Sequence, residues 1–193
     1  NGGVTGYPDA EYVKNGLKVL EKECDILIPA ALEAQITATN APYINAKLIV
    51  EAANGPITYD GDNILRDRGI AILPDAFVNA GGVTVSYFEW IKNLSHIRFG
   101  RMQRRLDELR GERILEALET MTGKTVPAHL RADILHGANE LDLVRSGLDD
   151  TMRLAFQEIA EVKRQMSTVT DYRTASYVVA VQKIVTTHIE MGF

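Results

Sequence analysis

PDAFVNAGGVTVSYFEW, Pro74–Trp90, is the stretch on which the reading of the fold turns. The apolar run Ile70–Leu73 enters it and predicts a buried strand ending at Pro74-Asp75. Asn79-Ala80-Gly81-Gly82 follows, and the residues beyond predict a new helix opening there. A strand end, a glycine pair and a helix start in succession mark the carboxyl edge of an open α/β sheet, where ligands bind. Gly81 and Gly82 have no Cβ and let a ligand approach the backbone closely. The helix start adds N–H groups without intrahelical partners, and Asn79 adds an amide that both donates and accepts.

Outward from this stretch the pattern repeats. Leu48-Ile49-Val50 ends in Glu51-Ala52-Ala53-Asn54-Gly55-Pro56, a second Asn-bearing loop ahead of a helix predicted over roughly 60–68. Asp25-Ile26-Leu27-Ile28 ends in Pro29-Ala30-Ala31-Leu32, whose small residues leave room for a ligand across the strand ends. The three runs are apolar throughout, as strands are when helices cover both sheet faces. Residues 25–94 therefore predict a parallel, doubly wound sheet, and from about Gly100 the chain reads as helical. Met152, Ala155-Phe156, Ile159-Ala160 and Val162 recur at the helical period over Thr151–Lys163. Asp171 predicts the N-cap of a last helix carrying Ala175, Val178-Val179 and Ile184-Val185. Ahead of the first strand, Glu11–Lys22 reads as a short amphipathic stretch with Tyr12, Val13, Leu17 and Val19-Leu20 on its apolar side.

With 193 residues, 46% of them hydrophobic, the chain can bury a core of one domain or slightly more. A net charge of −5 and a pI near 5.4 argue against a nucleic-acid or anionic-membrane surface. The single cysteine, Cys24, rules out an internal disulfide and reads as a small residue at the mouth of a strand, in a reducing compartment. No apolar run approaches the roughly 18 residues of a membrane span, and no signal segment is visible.

The Arg101–Thr120 segment mixes five acids with five arginines and reads as a solvated helix laced by i,i+4 pairs rather than a phosphate site. His96, His129, His136 and His188 lack metal-ligand spacing with one another or with Cys24, so no metal site is expected. His136-Gly137 reads as a helix end with a glycine stop. No nucleophile elbow or phosphate-binding loop is present in the sequence.

Four words of this sequence, DILIPAALE (Asp25–Glu33), AKLIVEAANGPIT (Ala46–Thr58), ILPDAFVNAGGVTVSYFEWIKNL (Ile72–Leu94) and DYRTASYVVAVQKI (Asp171–Ile184), resemble the glutamate dehydrogenases among the amino-acid dehydrogenases. Their order and spacing match, so the resemblance covers nearly the whole chain. It implies α/β architecture: a partial Rossmann-like doubly wound sheet followed by a C-terminal helical region. Residues 1–94 would form the second part of a dinucleotide-binding domain, 95–145 a family-variable helical insertion, and 146–193 helices packing back on the body. In longer family members the insertion projects and mediates subunit contact, which implies a shortened version here.

The resemblance also implies roles. Asn54 would lie beside the nicotinamide ribose and the substrate α-carboxylate, and Asn79 would contact nicotinamide and amino acid. Ala30, Ala31, Gly81 and Gly82 would complete the cofactor wall for NAD or NADP. Val83 would line the side-chain pocket, and Ser86 would hydrogen-bond the γ-carboxylate. The spacing of Asn79, Val83 and Ser86, i, i+4 and i+7, places them on one helical face. The other reading of Ser86 is a hydroxyl bonded to a carbonyl of its own helix.

The chain starts at Asn1, and no Gly-x-Gly-x-x-Gly follows a strand. The family's catalytic lysine and aspartate lie in an N-terminal domain without counterpart here, so no residue of this chain is expected to be catalytic. The resemblance thus implies the carboxyl-terminal portion of a larger enzyme, inactive alone, whose parent is a homo-hexamer. That parent would act on L-glutamate, 2-oxoglutarate and ammonia, without nucleic-acid or membrane partners. It would be intracellular and cytoplasmic, or in the mitochondrial matrix in a eukaryote. The competing reading is a non-catalytic remnant kept for oligomerisation or regulation.

Overall fold

A computed structural model describes residues 5–95, 101–137 and 139–192; His96, Gly100 and Ala138 lie outside the described residues. Three parallel strands form one sheet in the order β1 (Cys24–Leu27), β2 (Ala46–Val50), β3 (Ala71–Leu73). The predicted α/β class holds, with the three parallel strands forming an open sheet. Ile26 pairs with Leu48 and Ile49 with Ile72, so the central strand carries the fully buried Ile49 into the core. Around it pack Ile36, Ile44, Ile57, Leu65, Ile70 and Ile72.

Helix α1 (Tyr59–Asp67) connects β2 to β3. Thr58 caps it by accepting the Gly61 N–H at 3.3 Å, Asp60 and Asp62 lie in its first turn, and Arg66 lies in its last. Gly61 allows the helix to sit against the backbone of Ile36, where a Cβ would lie 2.9 Å from the carbonyl oxygen. Gly69, at φ +77°, ends the turn and returns the chain to β3.

Two expectations are corrected. Between β1 and β2 the chain forms only a 3-10 turn, Ala41–Tyr43, and Ile26 and Ile28 are 54% and 56% exposed. The intervening residues run instead beside the β2 loop, through the Ile36–Ile57 bridge, so among the described residues no helix covers the face of β1 that carries Ile26 and Ile28. The amphipathic stretch before β1 reduces to a 3-10 turn, Gly16–Val19, with Leu17 and Val19 nearly half exposed. A stretch this short is marginal as a helix, and Gly16 in its middle weakens it further.

The chain divides into two compact units. One holds the chain up to Ala80 and from Ala155 onward; the other runs Gly81–Leu154. The first contains the sheet, α1, α2 (Asp75–Val78), the end of α6 (Glu140–Gln165) and α7 (Tyr172–Glu190). Its second core cluster is Ile159, Val169 and Ala175, with Phe77, Phe156 and Tyr172 in series at 5.9 and 5.8 Å between ring centres. Asp171 caps α7 as predicted, accepting the Thr174 N–H at 2.7 Å.

The second unit holds most of α3 (Ala80–Ser95), then α4 (Arg101–Thr122), α5 (Ala128–Leu135) and the start of α6. Arg104 pairs with Glu108 at 3.2 Å, one of the expected i,i+4 pairs, while Glu119 reaches Arg131 of α5 at 2.7 Å. α4 crosses α5 at Gly111, where a Cβ would stand 2.6 Å from the Ile134 carbonyl oxygen. The helix end at His136-Gly137 is present for a different reason than a left-handed stop. Gly137 is needed because a Cβ there would meet Arg104 Cγ at 2.5 Å.

Candidate functional site at the strand ends

The loops after β1, β2 and β3 lie at the carboxyl edge of the sheet, in strand order. The loop holding Ala30 and Ala31, both exposed, is tied to the next by Ala52 N–H to Pro29 O (3.1 Å) and Ala34 N–H to Gly55 O (2.9 Å). Gly55 itself adopts φ +53°, which turns the chain sharply after Asn54. Asn79, the C-cap of α2, then joins the second loop to the third. Its Nδ2 donates to Ala53 O at 3.2 Å and to Asn54 Oδ1 at 3.0 Å.

This pair has a defined polarity. A backbone carbonyl can only accept, so the Asn79 atom facing Ala53 O is the nitrogen, and Asn54 must present its oxygen to it. The Asn79 NH2 group is spent on these two bonds. What the pair retains is the NH2 of Asn54 and the carbonyl oxygen of Asn79, one donor group and one acceptor. A primary carboxamide such as that of nicotinamide carries the complementary set, so the residues present fit a nicotinamide cofactor.

Beneath the loops sits a cluster of charge that sequence reasoning did not find. Glu51, fully buried at the end of β2, accepts the Asp75 N–H through Oε2 and Arg173 Nη2 through Oε1, both at 2.8 Å. Asp75 Oδ2 accepts the Gly55 N–H at 2.8 Å. Asp62 takes Arg173 on Oδ1 at 3.1 and 3.2 Å and pairs with Arg66 through Oδ2 at 2.8 Å; Arg66 also reaches Asp171 at 2.9 Å. Burial opposes the charge on Arg173, but the hydrogen bond and charge of Glu51, then Asp62, hold its pKa well above the ordinary guanidinium value. Burial likewise raises the Asp171 carboxyl, yet the Thr174 hydrogen bonds and the Arg66 charge outweigh it and hold it below the usual range. The signal in the sequence was faint: Glu51 is a charge set directly on an apolar strand, and Arg173 is a cation in the first turn of a helix, against the dipole.

The helix expected to open within Asn79–Gly82 does so, α3 starting at Ala80, and a further short helix, α2, stands ahead of it. α2 opens at Asp75, and Asn79 alone separates it from α3. The first N–H groups of α2 are taken within the chain: Asp75 by Glu51, Ala76 by Asp75 Oδ1 at 2.8 Å, Phe77 by Pro74 O at 3.0 Å. An acid in the first turn after Pro74 favours the nucleation of α2.

Gly81, Gly82, Val83 and Ser86 belong to the second unit, on the first two turns of α3. Gly82 and Ser86 are exposed, and Val83 is 72% exposed. A Cβ at Gly82 would meet nothing within 4 Å, whereas one at Gly81 would touch Leu148 and Met152 of α6. The Ser86 hydroxyl donates to Gly82 O at 3.1 Å, the bond its alternative reading expected.

Among the described residues no group of three or more His, Cys, Asp or Glu could hold a metal, and no helix is long and apolar enough to cross a membrane. A cleft of about 480 Å3 opens beside Asp62, Arg66, Asp171 and Arg173, at the start of β3 rather than its end. Those four charges are already paired with one another, so the strand-end loops remain the better site.

Comparison with known proteins places this geometry in context. Residues 1–145 match the family model described as Glutamate/Leucine/Phenylalanine/Valine dehydrogenase. The chain is 50% identical over 183 residues to a probable glutamate dehydrogenase of Sinorhizobium fredii, covering 95% of this chain and 41% of that protein. It is also 50% identical to the mitochondrial glutamate dehydrogenase of Dictyostelium discoideum, over 92% of this chain and 35% of that one. The crystal structure of glutamate dehydrogenase from Peptoniphilus asaccharolyticus superimposes with a TM-score of 0.58 at 30% identity, covering 86% of this chain and 31% of that one. The chain thus spans well under half the length of these relatives.

Proposed function

The chain belongs to the glutamate/leucine/phenylalanine/valine dehydrogenase family, and from that membership we propose that it supplies the nicotinamide-facing wall and part of the amino-acid pocket of a glutamate dehydrogenase. The complete protein would catalyse the reversible oxidative deamination of L-glutamate to 2-oxoglutarate and ammonia. When bound, a nicotinamide cofactor supplies the hydride acceptor. Similar chains carry names specific for NAD and for NADP, so the proposal extends to the nicotinamide end that both share.

In this scheme Asn54 and Asn79 hold the cofactor's carboxamide edge, and Ala30, Ala31, Gly81 and Gly82 leave room for it. Val83 flanks the substrate side chain, and Ser86 turns its hydroxyl from Gly82 O to the γ-carboxylate. The acid–base groups lie outside this chain, which alone is inactive; the working assembly is a homo-hexamer. The observation that carries the reading is the Asn54–Asn79 pair, whose two bonds on Asn79 Nδ2 define the donor and acceptor left over.

Ser86 tests the choice of substrate. Ser86→Val in the complete protein removes a hydrogen bond to a charged group, worth about 1.5–3 kcal/mol, or roughly tenfold to a hundredfold. The Michaelis constant for glutamate should rise by that factor, and the ratio of glutamate to norvaline turnover should fall. An unchanged ratio would refute the role of Ser86.

A further inference from the structure

Arg173 stands where carboxylates of three elements converge. From the first turn of α7 its guanidinium contacts Glu51 at 2.8 Å, Asp62 at 3.1 and 3.2 Å, and Asp75 at 3.5 Å. Two of these acids lead on to the candidate site. Asp75 Oδ2 holds the Gly55 N–H, and Gly55 follows Asn54 directly. Asp75 also opens α2, and its carbonyl accepts the Asn79 N–H at 2.9 Å. Glu51 fixes the Asp75 backbone from below, through Oε2. One side chain, Arg173, thus anchors both loops whose amides meet at 3.0 Å.

We propose that Arg173 is a positioning residue for the reaction: it sets the separation and orientation of the Asn54–Asn79 pair through Asp75 and Glu51. Three features favour positioning over a general anchor. Arg66, the other arginine of the cluster, is engaged with Asp62, Asn63 and Asp171, and Arg173 is the guanidinium that bridges Glu51 and Asp75. A cation in the first turn of α7 opposes the helix dipole, so the helix alone gives no reason for its charge. The planar fork of arginine can hold several carboxylates in fixed relation, which a lysine ammonium cannot. Removing the fork would leave the fully buried Glu51 carboxylate without its cation and free the Asp75–Gly55 link to shift.

The inference rests on the dehydrogenase reading, and its test separates the two. In the complete protein, Arg173→Lys is combined with Asn79→Ala, and kcat/KM for glutamate is measured for both single variants and the double. Misplacing reacting groups by about 1 Å can cost about a hundredfold, so Arg173→Lys alone should lower kcat/KM on that order. In the Asn79→Ala background the same change should cost no more than about twofold, the scatter of independent sites. Losses that multiply in the double variant would overturn the proposal. If Arg173→Lys does not fold, Asp75→Ala with Asn54→Ala forms the equivalent cycle, with the same two outcomes. A wild type that reduces neither cofactor with glutamate would sink the functional reading alone. A crystal structure of the Arg173→Lys variant would then decide the positioning: a displaced Asn54–Asn79 pair supports it, and an unchanged one overturns it.

Discussion

The amide of Asn79 has no freedom to turn over. Its nitrogen is committed to two acceptors, Ala53 O and Asn54 Oδ1, and a near-isosteric carboxylate would face both with an oxygen. Asn79→Asp should therefore drive the pair apart and leave the carbonyl of the buried Ala53 unmatched, a cost of about 1–3 kcal/mol. Titrating the complete protein with NADH and NADPH by fluorescence should show the tighter cofactor weakened about tenfold or more. An unchanged dissociation constant would contradict the assigned polarity. That Asn54 and Asn79 lie near strand ends was legible in the sequence, because each stands a few residues beyond an apolar run. Arg173 was not legible. Its partner Glu51 lies 122 positions away, and nothing local in either neighbourhood names the other.

Elements were legible where local chemistry settles them and were missed where packing does. The cap at Asp171 is local and was read correctly. Replacing it, Asp171→Ala, should cost about 1 kcal/mol at neutral pH, since the Thr174 N–H loses its acceptor. The carboxyl pKa is lowered in the fold, so the folded state binds fewer protons than the unfolded chain as pH falls. Its contribution is full above the ordinary Asp value near ~3.9 and declines as pH drops through the lowered one. The gap between the urea midpoints of wild type and Asp171→Ala should accordingly be wide at neutral pH and close toward pH 2; a gap that widened in acid would contradict this sign. Gly111 shows the other case. In an exposed helix Gly→Ala stabilises by about 1 kcal/mol, but here the Cβ would collide with the Ile134 carbonyl of α5. Gly111→Ala should instead destabilise by about 1–3 kcal/mol, seen as a lower thermal midpoint. The exposed face of β1 and the additional turn α2 belong with Gly111, since each depends on contacts between segments and not on the order of residues within one.

At the scale of the molecule, several large apolar side chains among the described residues are exposed. Ile26 and Ile28 lie open on β1, Val83 on α3, and Tyr177, Val181, Ile184 and Ile189 along α7. The relatives it matches are more than twice its length. The central claim is that these strand-end loops serve the oxidation of glutamate and not of leucine, phenylalanine or valine, the other substrates in the family's description. The most direct test is the amino-acid profile of the complete protein purified from its own cells, assayed with NAD and with NADP. The account predicts glutamate-dependent reduction of at least one cofactor, well above that with any of the three apolar amino acids. Preference for an apolar amino acid, or no reduction with any of the four, would contradict it.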